Sequence, residues 1–247
     1  MDKALYISMS GAKQNMLSQQ AHANNLANAN TVGFKRDLEQ ARSMPVFGDH
    51  FPTRAYAMSE RPATDTQMGP MIETGRSLDV AVRGDGWIAV QAEDGQPAYT
   101  RDGQFNIDAN GILRTAHGLA VLGNGGPIVV PPADKVEIGG DGTISIIPAG
   151  QGAETIAEID RIQMVKPDNK TMEKGLDGLM RPKPGVDQPV PDATVTLESG
   201  FLEGSNVNVV DALTQVMSLS RQYELQVKVM RSADENSQAA ARLLQNS

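Results

Sequence analysis

Both ends of this 247-residue chain carry a long helical pattern, and the stretch between them reads as β-structure. Near the start, Leu5, Met9, Ala12, Met16, Gln19, Ala23 and Leu26 step by four and three. Near the end, Val209, Leu213, Val216, Ser220, Tyr223, Val227, Met230, Asp234, Ser237, Ala241 and Leu244 do the same. A stripe that alternates in this way marks a helix packing against other helices along a narrow seam. These seams are thin, because Ala, Gln, Ser and Asp fill many of the positions. Two such helices are marginal alone and are expected to become stable when packed among copies of themselves or relatives. The pattern predicts an α+β chain: a discontinuous, coiled-coil-like terminal helical domain and a central all-β domain of short strands.

Composition limits what such a chain can do. The net charge is −8, which argues against nucleic acid or anionic lipid as the main partner. The absence of cysteine removes disulfides, thiolate metal sites and cysteine nucleophiles together. Met1-Asp2-Lys3-Ala4-Leu5-Tyr6 lacks the apolar core of a secretory signal, and no run approaches the length of a membrane span. No cleaved signal and no direct membrane span are therefore expected.

The chain divides into four stretches, which suggest three domains. Residues from about Asp2 to Ala29 read as helix, closed by Asn30-Thr31-Val32-Gly33, where Gly33 is placed as a left-handed terminator. From Asp37 to Arg76 the periodicity fades among Pro45, Pro52, Pro62 and Pro70, which predicts an extended, irregular arm. From Leu78 the period becomes two, with Leu78, Val80 and Val82 alternating against Asp79, Ala81 and Arg83. Short strands follow, including Trp87–Gln91, Ile128–Val130 and Thr143–Ile147, separated by Asp-Gly and Asn-Gly turns. The last helix should start at Asn208, with Asp211 as a capping partner. The expected domains are residues 1–36 with 201–247, an arm over 37–77, and a β-domain over 78–200.

Catalytic and cofactor chemistry has no foothold in these residues. His22, His50 and His117 sit in different segments with neither metal-ligand nor triad spacing. Asp108-Ala109-Asn110-Gly111 resembles part of a calcium loop but lacks the further oxygen ligands and the closing Glu. Tight turns need Asp-Gly and Asn-Gly in any case. Gly123-Asn124-Gly125-Gly126 has no Lys-Ser/Thr and no helix behind it, so it is a poor phosphate cradle. Trp87 opens a strand and is expected in a core. No enzyme activity, cofactor or metal is expected.

The most informative segment runs from Asn24 through Asn25, Leu26, Asn28 and Asn30 to Gly33, Phe34 and Lys35. A helix terminator alone needs fewer asparagines, whereas side-chain amides can bond main chain or neighbouring subunits in a packed bundle. Here the chain resembles the flagellar rod and hook family, whose amino-terminal signature Ala-Asn-Asn-Leu-Ala-Asn-x-x-Thr-x-Gly-Phe-Lys is matched at residues 23–35. The resemblance continues through Leu78-Asp79-Val80-Ala81-Val82-Arg83-Gly84-Asp85-Gly86-Trp87, Tyr99-Thr100-Arg101-Asp102-Gly103-Gln104-Phe105 and Asp108-Ala109-Asn110-Gly111. It ends in Leu202-Glu203-Gly204-Ser205-Asn206-Val207-Asn208-Val209 and in Tyr223-Glu224 and Ala233-Asp234-Glu235 of the last helix. The opening residues, Trp87 and the length look most like a proximal rod subunit. The distal rod subunit is the nearest rival, and the hook protein is usually much larger.

The resemblance implies a structural subunit of the bacterial flagellar basal body, exported by the flagellar type III apparatus. Its implied partners are other rod proteins and copies of itself. The assembly interface is then expected on Leu5, Met9, Ala12 and Met16, on Asn24, Asn25, Leu26, Asn28, Gly33 and Phe34, and on Val209, Leu213, Val216, Tyr223, Val227 and Met230. The alternative from another class is a secreted β-rich calcium- or ligand-binding protein with helical arms.

Overall fold

The computed structural model describes residues 3–45, 55–150 and 155–245, so His50 and Pro52 lie outside the described residues. The chain forms two compact units. The first contains residues up to Ala29, Arg36–Asp65 and residues from Val207 onward. The second contains Asn30–Lys35 and Thr66–Asn206.

In the first unit, α1 (Lys3–Ala27) packs against α2 (Val209–Gln245). The start of α2 is set by Asn208, whose Oδ1 accepts from the Val210 and Asp211 backbone N–H groups at 3.1 and 3.2 Å. The region expected as an irregular arm contains a long antiparallel hairpin, β1 (Asp37–Pro45) with β2 (Ala55–Thr64). Its pairing brings Asp37 opposite Thr64 and Pro45 opposite Ala55, with one irregularity between Leu38 and Gln40. Prolines and scattered polar residues hide a strand from a test based on alternation, because pairing is decided by the backbone and by the helix beneath. Among the described residues no helix is long and apolar enough to cross a membrane.

The second unit is built from short antiparallel strands, in chain order β3 (Met71–Glu73), β4 (Val80–Arg83), β5 (Trp87–Gln91), β6 (Pro97–Thr100), β7 (Phe105–Ile107), β8 (Leu113–Thr115), β9 (Ala120–Gly123), β10 (Gly126–Pro127), β11 (Ala133–Ile138), β12 (Thr143–Pro148), β13 (Ala157–Arg161), β14 (Met164–Val165), β15 (Met172–Lys174), β16 (Met180–Pro182), β17 (Thr196–Ser199) and β18 (Phe201–Glu203). The main sheet runs β15-β16-β6-β5-β9-β8-β7, with β10 on β9 and β14 on β5. A separate sheet is ordered β11-β12-β13, while β17 pairs with β4 and β18 with β3. The core gathers Val80, Val82, Ile88, Val90, Phe105, Leu113, Val121, Ile128 and Ile144. A smaller cluster surrounds Trp87 with Ala89, Tyr99, Val165, Met172 and Met180.

Two strand expectations differ in detail. Asp79 and Ala81 are buried along with Val80 and Val82, so β4 is covered on both sides rather than one. Ile128–Val130 forms no strand of its own. Its ends are nonetheless held like one, since Ile128 N–H donates to Val121 O at 3.0 Å and Val130 N–H to Gly111 O at 2.7 Å. The overall class is α+β, with the two terminal helices packed together and the short strands between them in sequence.

Candidate functional site

Within the first unit the helices meet through small side chains. Ser8, Gly11, Ala12, Ser18 and Asn25 are buried on α1, with Asn15 and His22 half-buried in the same row. Ala212 and Ala233 are buried on α2. A Cβ added at Gly11 would lie 3.0 Å from Gln226 Nε2, so the helices approach closely there. The buried row 8, 11, 15, 18, 22, 25 keeps the three-four rhythm but is offset by one residue from the apolar stripe. One residue is about 100° of rotation.

The offset separates two roles. Small residues let the helix axes come together, and the large residues beside them are left outward. Met9 and Met16 are exposed, Met16 at 64%, and so are Val209, Leu213 and Tyr223. Leu5, Leu26, Val216, Val227 and Met230 are half-buried, and only Ala12 of the α1 stripe named from the sequence is fully buried. Apolar side chains are thus left exposed along both helices.

The Asn-rich end of α1 is used inside the chain. Asn25 Nδ2 donates to Asp37 O and Asp37 N–H donates to Asn25 Oδ1, each at 2.9 Å, so the amide pairs with β1 as another strand would. Ser18 Oγ donates to Glu39 Oε1, and His22 Nε2 lies 3.4 Å from Glu39 Oε2. Positions 18, 22 and 25 thus stitch one face of α1 to the first strand of the hairpin. Asn28 Nδ2 donates to Asn24 O at 3.0 Å and closes the helix end, while the Asn24 side chain is exposed.

In the second unit three signature motifs converge on one buried carboxylate. Gly33 has φ +68°, its N–H donates to Glu203 O at 2.7 Å, and a Cβ there would lie 2.3 Å from the Arg101 carbonyl carbon. Only glycine fits both conditions. Phe34 is capped by Lys174, whose Nζ sits 3.8 Å from the ring centroid and donates to Lys35 O at 2.6 Å. Lys35 Nζ donates to Glu203 Oε1 at 2.5 Å and to Gln67 O at 2.6 Å. Gly69 N–H also donates to that Oε1, at 2.9 Å. Arg101 Nη1 donates to Glu203 Oε2 at 2.9 Å, and Nη2 to Gly84 O at 2.7 Å. The guanidinium lies 5.3 Å from the Trp87 centroid, and its Nε has no hydrogen-bond partner among the described residues.

Glu203 is fully buried, and Lys35 and Arg101 are 3% and 2% exposed. Charges so deep are tolerated only when paired and hydrogen-bonded, as these are. Of this cluster the expected interface included Gly33 and Phe34, whereas Lys35, Arg101 and Glu203 stood in the motifs without a role assigned to them. Only Glu203, between Leu202 and Gly204, stands out locally as a lone charge, whereas Lys35 precedes Arg36 and Asp37 and Arg101 precedes Asp102.

The remaining polar groups serve turns. Asp108 Oδ1 accepts from the Asn110 and Ile112 N–H groups, and Oδ2 pairs with Arg114 Nε at 2.8 Å. The Arg114 hydrogen bond holds the Asp108 carboxyl below its ordinary value. Its oxygens are therefore committed to the turn rather than arrayed around a cation. Asp102 is buried, which pushes its pKa up, while His117 Nδ1 at 3.0 Å acts in the opposite sense. Among the described residues no group of three or more His, Asp or Glu side chains is placed to hold a metal ion.

The chain is similar to known proteins along its whole length. Residues 5–35 match the family profile described as flagella basal body rod protein. Residues 81–146 match the flagellar hook protein FlgE/F/G D1 domain, and residues 198–243 match the flagellar basal body rod FlgEFG protein C-terminal region. The chain is 41% identical to the flagellar basal-body rod protein FlgF of Escherichia coli (strain K12), with 99% of each chain covered. Identity to FlgF of Salmonella typhimurium is 39% over the same shares. Identity to the flagellar basal-body rod protein FlgG of Bacillus subtilis is 31%, covering 94% of this chain and 96% of that one.

Proposed function

The chain belongs to the flagellar basal-body rod protein family, and from that premise we propose that it is a proximal-rod subunit joining the axial structure through its terminal helices. Within the family it is most like FlgF, and its role is that of a structural rod component of the flagellar basal body. The observation that carries the finer reading is the division of labour on the helices. Small residues make the intrachain seam, while Met9, Met16, Val209, Leu213 and Tyr223 stay outward. A monomer gains nothing from such a stripe, whereas a neighbouring rod helix buries it at about 25 cal/mol per Å². Repeated contacts of that kind that do not close on themselves build a filament.

The partners in this reading are other rod proteins and further copies of this chain. Delivery is by the flagellar export apparatus, to the part of the rod that spans the periplasm. Leu5, Ala12, Leu26, Val216, Val227 and Met230 flank the outward stripe. Asn25, Gly33 and Phe34 are engaged within the chain and act by building the subunit. A distal-rod subunit is the second reading, supported by the 31% identity to FlgG of Bacillus subtilis.

Photo-cross-linking residues placed at positions 16 and 213 test the proposal in assembled basal bodies. Adducts to rod proteins at both positions are expected, and the partner captured separates a proximal from a distal location. No adducts at either position, in basal bodies that contain the protein, would remove the helices from the interface.

A further inference from the structure

The β-unit holds both Asn-Gly steps of the chain, Asn110-Gly111 and Asn124-Gly125, and folds them in opposite ways. Such a step carries its own chemistry. The backbone nitrogen after an asparagine can attack the side-chain amide carbon, and glycine leaves that nitrogen unshielded. Whether it does so in a folded protein depends on whether the nitrogen's N–H is already engaged and whether the local backbone can turn.

At Asn110-Gly111 both are prevented. Gly111 N–H donates to Asp108 O at 3.0 Å, and Asn110 N–H donates to Asp108 Oδ1 at 2.8 Å. The Gly111 carbonyl accepts from Val130 N–H at 2.7 Å, and Gly111 itself is fixed at φ +81°. At Asn124-Gly125 the restraints are missing. These two residues form the loop between β9 and β10, whose ends pair Gly123 with Gly126. Both are exposed, and a Cβ added at Gly125 would meet nothing within 4 Å. Among the described residues the Gly125 N–H and the Asn124 side-chain amide have no hydrogen-bond partner, and Asn124 is tied by its own N–H to Asp160 Oδ1 at 3.3 Å.

We propose that Asn124 is a self-modification site of the folded protein, converting through a cyclic imide to isoaspartate and aspartate, while the fold protects the identical step at Asn110. The Gly125 nitrogen gives up its proton and bonds to Asn124 Cγ; the Cγ–Nδ2 bond breaks, and the amide nitrogen leaves as ammonia with that proton. Water then opens the imide at either carbonyl, so the only co-reactant is solvent. The product adds one negative charge to the −8 of the chain and places it beside Asp160, where like charges weaken the Asn124–Asp160 contact. Beyond the loop Ile128 is fully buried, and its N–H stays on Val121 O at 3.0 Å, so the modified protein keeps its core. The inference concerns the chain's own chemistry and stands whether or not the rod assignment does.

The test follows the full-length protein by peptide mass mapping during incubation in mildly alkaline buffer, folded and again unfolded in urea. Isoaspartate is counted with an isoaspartyl carboxyl methyltransferase and labelled S-adenosylmethionine. Asn124 should convert at nearly the same rate in both states, whereas folding should slow Asn110 by about tenfold or more, because its bonded turn must open first. Gly125→Ala, which the open space around Gly125 accommodates, should slow conversion of Asn124 severalfold in the folded protein and leave Asn110 unchanged. Folding that protects Asn124 as strongly as Asn110 overturns the proposal. So does conversion at Asn124 that yields no isoaspartate or ignores Gly125→Ala, since the Gly125 nitrogen would then not be the attacking group.

Discussion

Asn25 shows how one side chain can decide whether a helix and a strand meet. Its amide satisfies both backbone groups of Asp37, which is itself buried. Asn25→Leu keeps the volume and strands that N–H and C=O without water, at about 1–3 kcal/mol each. Urea denaturation should register the loss, and Asn24→Ala, at an exposed position, should be silent in the same assay. Equal effects would mean the amide bonds contribute nothing. Two carboxylates offer a contrast in sign. Asp177 is held below its ordinary value chiefly by its hydrogen bond to Arg181, so its stabilisation is present above its unfolded pKa near 3.8 and is lost as pH falls through the folded value. Asp102 is raised by burial, so it disfavours the fold as pH rises through its folded value. At pH 7, Asp177→Asn should cost about 0.5 kcal/mol, discounted for exposure. Asp102→Asn should be no less stable than wild type. As pH falls through its folded value the Asp177 difference should vanish, and urea midpoints across pH check both signs.

At the scale of elements, the helices were legible because their rhythm survives in any register. Their ends were too: α1 was expected to Ala29 and stops at Ala27, and α2 starts one residue after its Asn208 cap. Which face is buried was not legible. The eye follows Leu and Met, but the seam is made by Ser8, Gly11, Ser18 and Asn25 because close approach needs small residues. The strand β5 matched its expected bounds, since a fully apolar run flanked by turns is unambiguous. The hairpin β1-β2 was hidden by its polar composition, and the Lys35–Arg101–Glu203 cluster by the distance between its members in the chain. The burial pattern separates two substitutions that look alike in sequence. Leu213→Asp, on the exposed face, should leave the monomer within about 0.5 kcal/mol of wild type while abolishing assembly. Leu26→Asp, half-buried against the unit, should lower monomer stability as well. Thermal unfolding alongside rod yield tells them apart, and normal rods from Leu213→Asp would place that stripe outside the interface.

For the whole molecule, the two units differ in what holds them. The β-unit has a broad core in which Val80, Ile88, Phe105, Leu113, Ile128 and Ile144 are fully buried, reinforced by the ionic cluster. The helical unit has a seam of small residues and keeps its larger apolar side chains outward. Burial per ordered residue is therefore lower in the helices, and local opening follows the weaker packing. In dilute monomer a protease should cut first in α1, the hairpin and α2, leaving a resistant fragment that spans roughly residues 66–206. The boundaries matter, because β3 (Met71–Glu73) and Gly69 are held by β18 and Glu203 and should resist even though they precede the first strand that alternation reveals. A fragment beginning instead near residue 78 would mean that the β3–β18 pair opens with the helices. Mass spectrometry of the limit digest distinguishes the two starts. On the proposed interface, the same sites should be protected in assembled rods, and cleavage there at the monomer's rate would place the stripe outside it.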